Sequence, residues 1–288
     1  MREVQHRHEQ FPYVYEEQTM VLMDAHGNRS VRRCRRFSRT DDDNGAKFLL
    51  IFDDPEEIRG VALLAVRDAH GNTEQGVYLP AFGAELKQPA PERRSGHFLG
   101  TDFSIQDLTN EKLEEHRYVR GRDGFIEDVE FFMVEAYPAN AKVERSSGYG
   151  LRRHLIRKDI FMIVQTDFFD RELHFMKRIT HHDLKQVSGE SWRANMIVVN
   201  DEREQHRTLL KIDRRIYSRD YVPPEIFERD FLLANGHLGA LGDRTDGRLL
   251  PSEAMPEVGK TEGDGKGLST GKDKPMFDNS TTAESARQ

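Results

Sequence analysis

The residues best suited by type to do chemistry are His181, His182 and Asp183, three titratable groups in a row. Imidazole changes charge near neutral pH, and a neighbouring carboxylate can orient it. On a strand, however, successive side chains point to opposite faces, so the two rings cannot ligate one ion from regular geometry. Coordination by one of them with His174 and a distant acid is one reading of the cluster. A polar turn between strands at 173 and 184 is the other, and turn chemistry favours it. His6 and His8 would share a face of an extended segment, but fraying is the expectation at a terminus. The chain has no G-x-S-x-G elbow, phosphate loop or H-E-x-x-H pattern. Gly148-Tyr149-Gly150 lacks the third glycine of a nucleotide fingerprint and reads as a loop. Carboxylates are abundant, yet no spacing singles out a general acid and base. Cys34 is the sole cysteine, which excludes an intramolecular disulfide and a C-x-x-C metal site. No catalytic residue, metal site or cofactor is therefore expected.

A second signal is residues 95–108, SGHFLGTDFSIQDL, where glycines, acids and aromatics cluster without a nucleophile–base pair. The segment reads as shape rather than chemistry. Gly100 is expected to supply a backbone conformation or close approach closed to other residues, and Asp102 to tie down loop amides. Asp107 or Thr109 is a possible helix cap, and Phe98 and Phe103 are expected to point inward.

The elements that must position these residues are mainly strands. Period-two patterning marks at least nine, at 18–24, 47–53, 61–67, 75–79, 129–137, 159–166, 173–180, 193–199 and 208–216. In the fifth, Val129, Phe131 and Met133 alternate with Glu130, Phe132 and Val134. Segment 159–166 is apolar on both faces, which predicts cover on both sides. The pentapeptide Asp24-Ala25-His26-Gly27-Asn28 recurs as Asp68-Ala69-His70-Gly71-Asn72 between strand patterns, so both copies are expected to be hairpin turns. Further turns are expected at 167–172 and 200–204. Five arginines, Arg32, Arg33, Arg35, Arg36 and Arg39, could meet phosphate or anionic lipid heads, but an edge strand kept soluble by charge is the commoner explanation, with Asp41-Asp42-Asp43 neutralising part of the field. Helical signals are short: Asp54-Pro55-Glu56-Glu57-Ile58, part of 101–115, and 223–233 with Phe227, Phe231 and Leu232 on one stripe. The fold class expected is mainly β, a curled antiparallel sheet with helical cover.

Composition sets the remaining bounds. The chain has 288 residues and a formal net charge of −7, without the basic excess of a nucleic-acid binder. From Gly236 onward large apolar residues are sparse, so 236–288 is expected to be a disordered tail. The first seventeen residues lack the apolar core of a signal peptide, and no window is long enough to span a membrane. Taken alone, these features indicate a soluble, unexported chain. A sheet of this size can enclose an apolar space for one ligand. Phe98, Phe103, Phe131, Met133, Phe161, Met162, Phe175 and Met176 are the candidates to line it, or else to fill a solid core.

The segments MVLMDAHGNRSVRR, FDDPEEIRGVALL, VYLPAF, SGHFLGTDFSIQDL and PEIFERDFLL, in this order, resemble the bacterial outer-membrane lipoprotein-sorting protein family, which is similar in fold to the Lol lipoprotein carriers. The resemblance covers 16–235, leaving 1–15 as an N-terminal extension. Its most specific element is Phe98, Gly100, Asp102, Phe103, Ser104, Asp107 and Leu108. It implies an incomplete antiparallel barrel whose helices act as a lid over a hydrophobic cavity for acyl chains or other lipids. It also implies a periplasmic location and a membrane transporter as partner. The function expected is a non-enzymatic carrier of lipid or lipoprotein acyl chains. A small-molecule enzyme on the same half-barrel and an interaction module with a solid core are the alternatives.

Overall fold

The structure, a computed structural model, describes residues 1–41, 45–68, 73–80, 86–87, 97–108 and 113–239. Helix α1 (Arg2–Glu9) precedes strands β1 (Tyr13–Met23), β2 (Arg29–Thr40), β3 (Ala46–Asp54), β4 (Ala62–Arg67), β5 (Thr73–Tyr78) and β6 (Leu86–Lys87). After α2 (Ile105–Leu108) come β7 (His116–Arg120), β8 (Gly124–Ile126), β9 (Val129–Pro138) and α3 (Ala141–Ser147). Then follow β10 (Leu151–Arg157), β11 (Met162–Phe169), β12 (Phe175–Ser188), β13 (Ser191–Asp201), β14 (His206–Ile216), α4 (Arg229–Leu233) and α5 (Gly236–Gly239). The 14 strands form one antiparallel sheet in the order β6-β5-β4-β3-β2-β1-β14-β13-β12-β11-β10-β9-β7, with β8 also on β9. Two meanders thus meet at a β1–β14 seam, and the sheet is not closed into a barrel. No helix among the described residues is long and apolar enough to cross a membrane.

Turn chemistry explains the hairpins. In the first, the Asp24 carboxylate accepts from the amides of His26 and Asn28 (2.9 Å each), while Gly27 takes φ +81°. The β11–β12 turn repeats the device: Asp170 accepts from the His174 amide (2.8 Å) and Leu173 is left-handed. Of the second pentapeptide, residues 69–72 lie outside the described residues; β4 and β5, which flank it, pair antiparallel.

Strand alternation divides the apolar residues between two cores. The inner face, defined as the one carrying residues 97–108, gathers Met20, Leu22, Cys34, Leu50, Phe52, Leu63, Val77, Val199 and Leu210 with Phe98, Phe103 and Ile105. The outer face of β1–β5 gathers Tyr15, Phe37, Leu49, Ile51, Leu64 and Tyr78 under Val222, Ile226, Phe227 and Leu232. The strand covered on both sides is therefore β3, where Leu49 through Phe52 are each 0 % exposed. The expected candidate, 159–166, begins instead in a turn: Phe161 is left-handed (φ +50°) and β11 starts only at Met162.

Other expectations are corrected in the same way. Strand β2 is interior, between β1 and β3, because its arginines are paired by neighbours: Arg36 with Glu16, Arg35 with Asp53, Arg39 with Asp41. His181, His182 and Asp183 do not make a turn between strands. They lie inside β12, which absorbs Asp183 at φ +47° and continues to Ser188. Segment 223–233 breaks at the extended Glu228 into a 3-10 turn, Pro224–Phe227, and α4. The fold also runs past 235: His237 is fully buried and lies 3.0 Å from the Gly60 carbonyl oxygen and edge-on to Tyr78. Residues 240–288, the rest of the expected tail, lie outside the described residues. At the other end β1 begins at Tyr13, inside the expected extension, and the α1 backbone accepts hydrogen bonds from Ser191 and Arg193 on β13.

Candidate functional site

Residues 97–108 fold into a tight hairpin and one helical turn set into the inner face. Leu99 (φ +52°) and Gly100 (φ +78°) are the two central residues of a turn closed by the Thr101 amide on the Phe98 carbonyl (3.0 Å). Two consecutive left-handed residues suit a hairpin turn and favour glycine at one of them. A Cβ at Gly100 would meet only Arg32 Nη2, at 3.8 Å, so the glycine supplies backbone conformation rather than close approach. Phe98 and Phe103 point into the inner core, 8 % and 4 % exposed, with Phe98 6.0 Å from the Phe52 ring.

Below these rings lies a buried polar layer. The Asp102 carboxylate accepts from Thr208 Oγ1 (2.7 Å) and lies 2.8 Å from His206 Nδ1. The Asp102 amide donates to Thr208 Oγ1 (3.0 Å), and its carbonyl accepts from Lys177 Nζ (2.8 Å). Asp102 therefore clamps the segment to β12 and β14 instead of tying down loop amides. That task belongs to Asp107, which accepts from the Ser104 amide (2.7 Å) while its own amide donates to Ser104 Oγ (3.2 Å), a capping box at the start of α2. Asp107 also accepts from Tyr149 Oη (3.1 Å) and pairs with Lys177 at 2.6 Å, their side chains 1 % and 3 % exposed. Burial opposes charge on both partners, but their mutual attraction prevails. It holds the Asp107 carboxyl below, and the Lys177 ammonium above, the ordinary range. The ammonium also sits over the rings of Tyr149 and Phe168 (5.6 and 5.5 Å).

At the top of this layer, His97 Nε2 lies 3.1 Å from Asp201 Oδ2, and Asp201 Oδ1 accepts from the amides of Arg203 and Glu204 (3.0 Å each). Nitrogen or carboxylate atoms of His97, Asp102 and Asp201 all fall within 4.8 Å of one another.

The far end of the inner face is also charged. Glu16 is held by Arg215 (2.6 Å), Arg36 (3.2 Å) and Gln18 (2.6 Å). Burial alone would raise its pKa, but the two guanidinium groups lower it to about 2. Burial pushes His181 down to about 4 and the Cys34 thiol up. Glu16, His181, Cys34, Asp107 and Lys177 are thus all held away from neutrality, which suits them to structure rather than proton transfer.

The residues expected to line a cavity separate. Phe98, Phe103 and Met176 pack into the inner core. Phe161 packs at a tilt against Phe132 (5.8 Å) beside Arg7 of α1. Register puts Phe131, Met133, Met162 and Phe175 on the outer face, paired with Arg157, Leu155, Arg157 and Phe169. The error is one of parity: the inner face of β9 carries Phe132, Val134 and Ala136, opposite Ile156, His154 and Arg152. A cleft of about 330 Å³ also opens on the outer face, lined by Leu64, Val66, Glu74, Gly76, Phe227 and Arg229. Spacing does not mark Lys177, Tyr149, Asp201 or His206, because the residues they meet lie 42 to 104 positions away.

Several solved structures share the architecture. An outer membrane lipoprotein-sorting protein domain from Vibrio parahaemolyticus superposes with a TM-score of 0.73 at 25% identity, covering 81% of this chain and 96% of that one. A DUF1329 family protein from Desulfovibrio piger gives 0.69 at 19% identity, covering 79% and 95%. A LolA superfamily protein from Nitrosomonas europaea gives 0.60 at 13% identity, covering 77% and 92%. No curated protein sequence matches the chain. A family model described as "Uncharacterized protein" matches residues 44–233. The chain belongs to the family of that model, and its fold is that of the outer membrane lipoprotein-sorting proteins and the LolA superfamily.

Proposed function

We propose that the chain is a non-enzymatic carrier that takes acyl chains of lipoproteins or other lipids onto its inner face. One observation carries this reading. The inner apolar core runs across nine strands, from β5 through the β1–β14 seam to β11, and segment 97–108 packs Phe98, Phe103 and Ile105 onto it. That segment is held down by polar clamps: Asp102 to Thr208 and His206, and Asp107 to Lys177. Polar clamps can release in water without breaking a covalent bond, whereas the apolar surface beneath would then be costly to leave wet. An acyl chain replaces Phe98, Phe103 and Ile105 against the same strands with little loss of burial. The titratable groups held away from neutrality favour a carrier over acid–base chemistry, and the neighbour named for outer membrane lipoprotein sorting suggests the cargo class; the periplasm is the place of action proposed with it.

The test is native mass spectrometry of detergent-free protein, followed by titration with a fluorescent fatty-acyl probe. A carrier retains lipid and binds the probe, and Phe103→Ala, which enlarges the space under the lid, changes probe affinity at least several-fold. Protein that carries no lipid and does not bind the probe would sink the proposal.

A further inference from the structure

We propose that His97, Asp102 and Asp201 bind a divalent transition-metal ion of the zinc type, which staples the lid hairpin to the end of the sheet. The three residues come from separate places, the start of the hairpin, its far side and the last residue of β13, yet their ligand atoms lie within 4.8 Å of one another. Ligands about 2.0–2.2 Å from a tetrahedral ion are roughly 3.3–3.6 Å apart. His97 Nε2 and Asp201 Oδ2, at 3.1 Å, are already near that spacing.

Charge argues in the same direction. The side chains of Asp102 and Asp201 are 0 % and 8 % exposed, and among the described residues neither carboxylate pairs with a lysine or an arginine. Lys177, close by, is committed to Asp107 and to the Asp102 carbonyl. Among the described residues these two buried carboxylates face only imidazoles and neutral donors, and a dication supplies a fixed countercharge. The surroundings are those of ligands already aimed. Asp201 Oδ1 is occupied by two backbone amides, which turns Oδ2 toward His97, while Thr208 and His206 orient the Asp102 carboxylate. His97, 35 % exposed, gives the ion an entrance, and a solvent molecule completes the shell. One imidazole and two carboxylates match zinc or a similar first-row ion, and are too few oxygens for calcium. The site stands independently of the carrier reading. Where both hold, loss of the ion frees the hairpin from β13.

The full chain, stripped with EDTA and desalted, is titrated with zinc chloride by calorimetry and melted with and without zinc. One equivalent should bind and raise the melting temperature. His97→Ala and Asp201→Asn should each weaken binding at least about ten-fold and abolish the rise, and His182→Ala, an exposed histidine of β12, should change neither. Because His97 is at the surface, its variant folds even if Asp201→Asn does not. Absence of a stoichiometric site, or zinc binding and stabilisation that survive His97→Ala, would overturn the proposal.

Discussion

The outer face of the sheet solves one problem in two ways. Over β1–β5 it is apolar and is covered by a distant stretch of chain, in which Val222 and Leu232 are fully buried and Phe227 nearly so. Over β9–β12 three aromatic side chains stay part-exposed and are shielded by arginines. Arg153 lies over Phe169 at 5.2 Å, Arg178 over Phe175 at 5.8 Å and, at the edge, Arg117 over Tyr137 at 4.8 Å. The same guanidinium groups bridge to cross-strand acids, Arg153 to Glu135 and Arg178 to Asp167. A covering segment excludes water completely but joins elements far apart in sequence. An arginine stem shields a ring using only its neighbours and keeps its charge in water. The first half is therefore firm through long-range packing, and the second through many small local contacts.

The largest expected difference between the halves is in aromatic truncation. Phe227→Ala should cost about 3–5 kcal/mol in urea denaturation, against about 1 kcal/mol for Phe175→Ala. Equal losses would erase the distinction. Charge should follow burial too. Glu16 titrates at about 2 in the folded chain, against 4.5 ordinarily, so its contribution is complete above about pH 5 and is lost as pH falls toward 2. That contribution is on the order of 3 kcal/mol. Acid titration of stability should therefore flatten in this window for Glu16→Gln, at the cost of lower stability at neutral pH. The smallest effect belongs to the surface ladder. A double-mutant cycle on Glu135 and Arg153 should give a coupling of about 0.5 kcal/mol that shrinks in high salt. A coupling several times larger would show that the arginine cover is itself a cooperative layer.

What could be read from the sequence follows the same division. Strands β1, β3, β4, β13 and β14 show themselves as short apolar-rich segments between polar turns, as does the Asp24–Asn28 turn, whose hydrogen bonds are local. Strand β2 does not look interior because its arginines are neutralised by Glu16 and Asp53, partners on other strands that no local window contains. The run at 181–183 looks like a turn because polar residues usually mean one; here a single left-handed residue, Asp183, lets the strand carry on. Residues 95–108 stand out in composition, and Phe98, Gly100 and Phe103 are where that signal suggests. Their polar anchors are hidden, since Asp102 meets Thr208 across 106 positions. Parity fails on β9, where both faces carry apolar side chains and nothing local says which is inner.

The seam between β1 and β14 has a consequence in time. All other long strands are next to a neighbour in sequence, but β1 has one partner at hand, β2, and its second is the last strand of the sheet. Roughly 190 residues separate Met23 from Ile216, which at about 5–20 residues per second is about 10–40 s of synthesis. Throughout that interval a chain emerging amino-terminus first carries an unpaired, largely apolar strand edge, the kind of surface that recruits other strands. The nascent protein needs shielding over this stretch, and slowing the delivery of residues 206–216 lengthens its exposure.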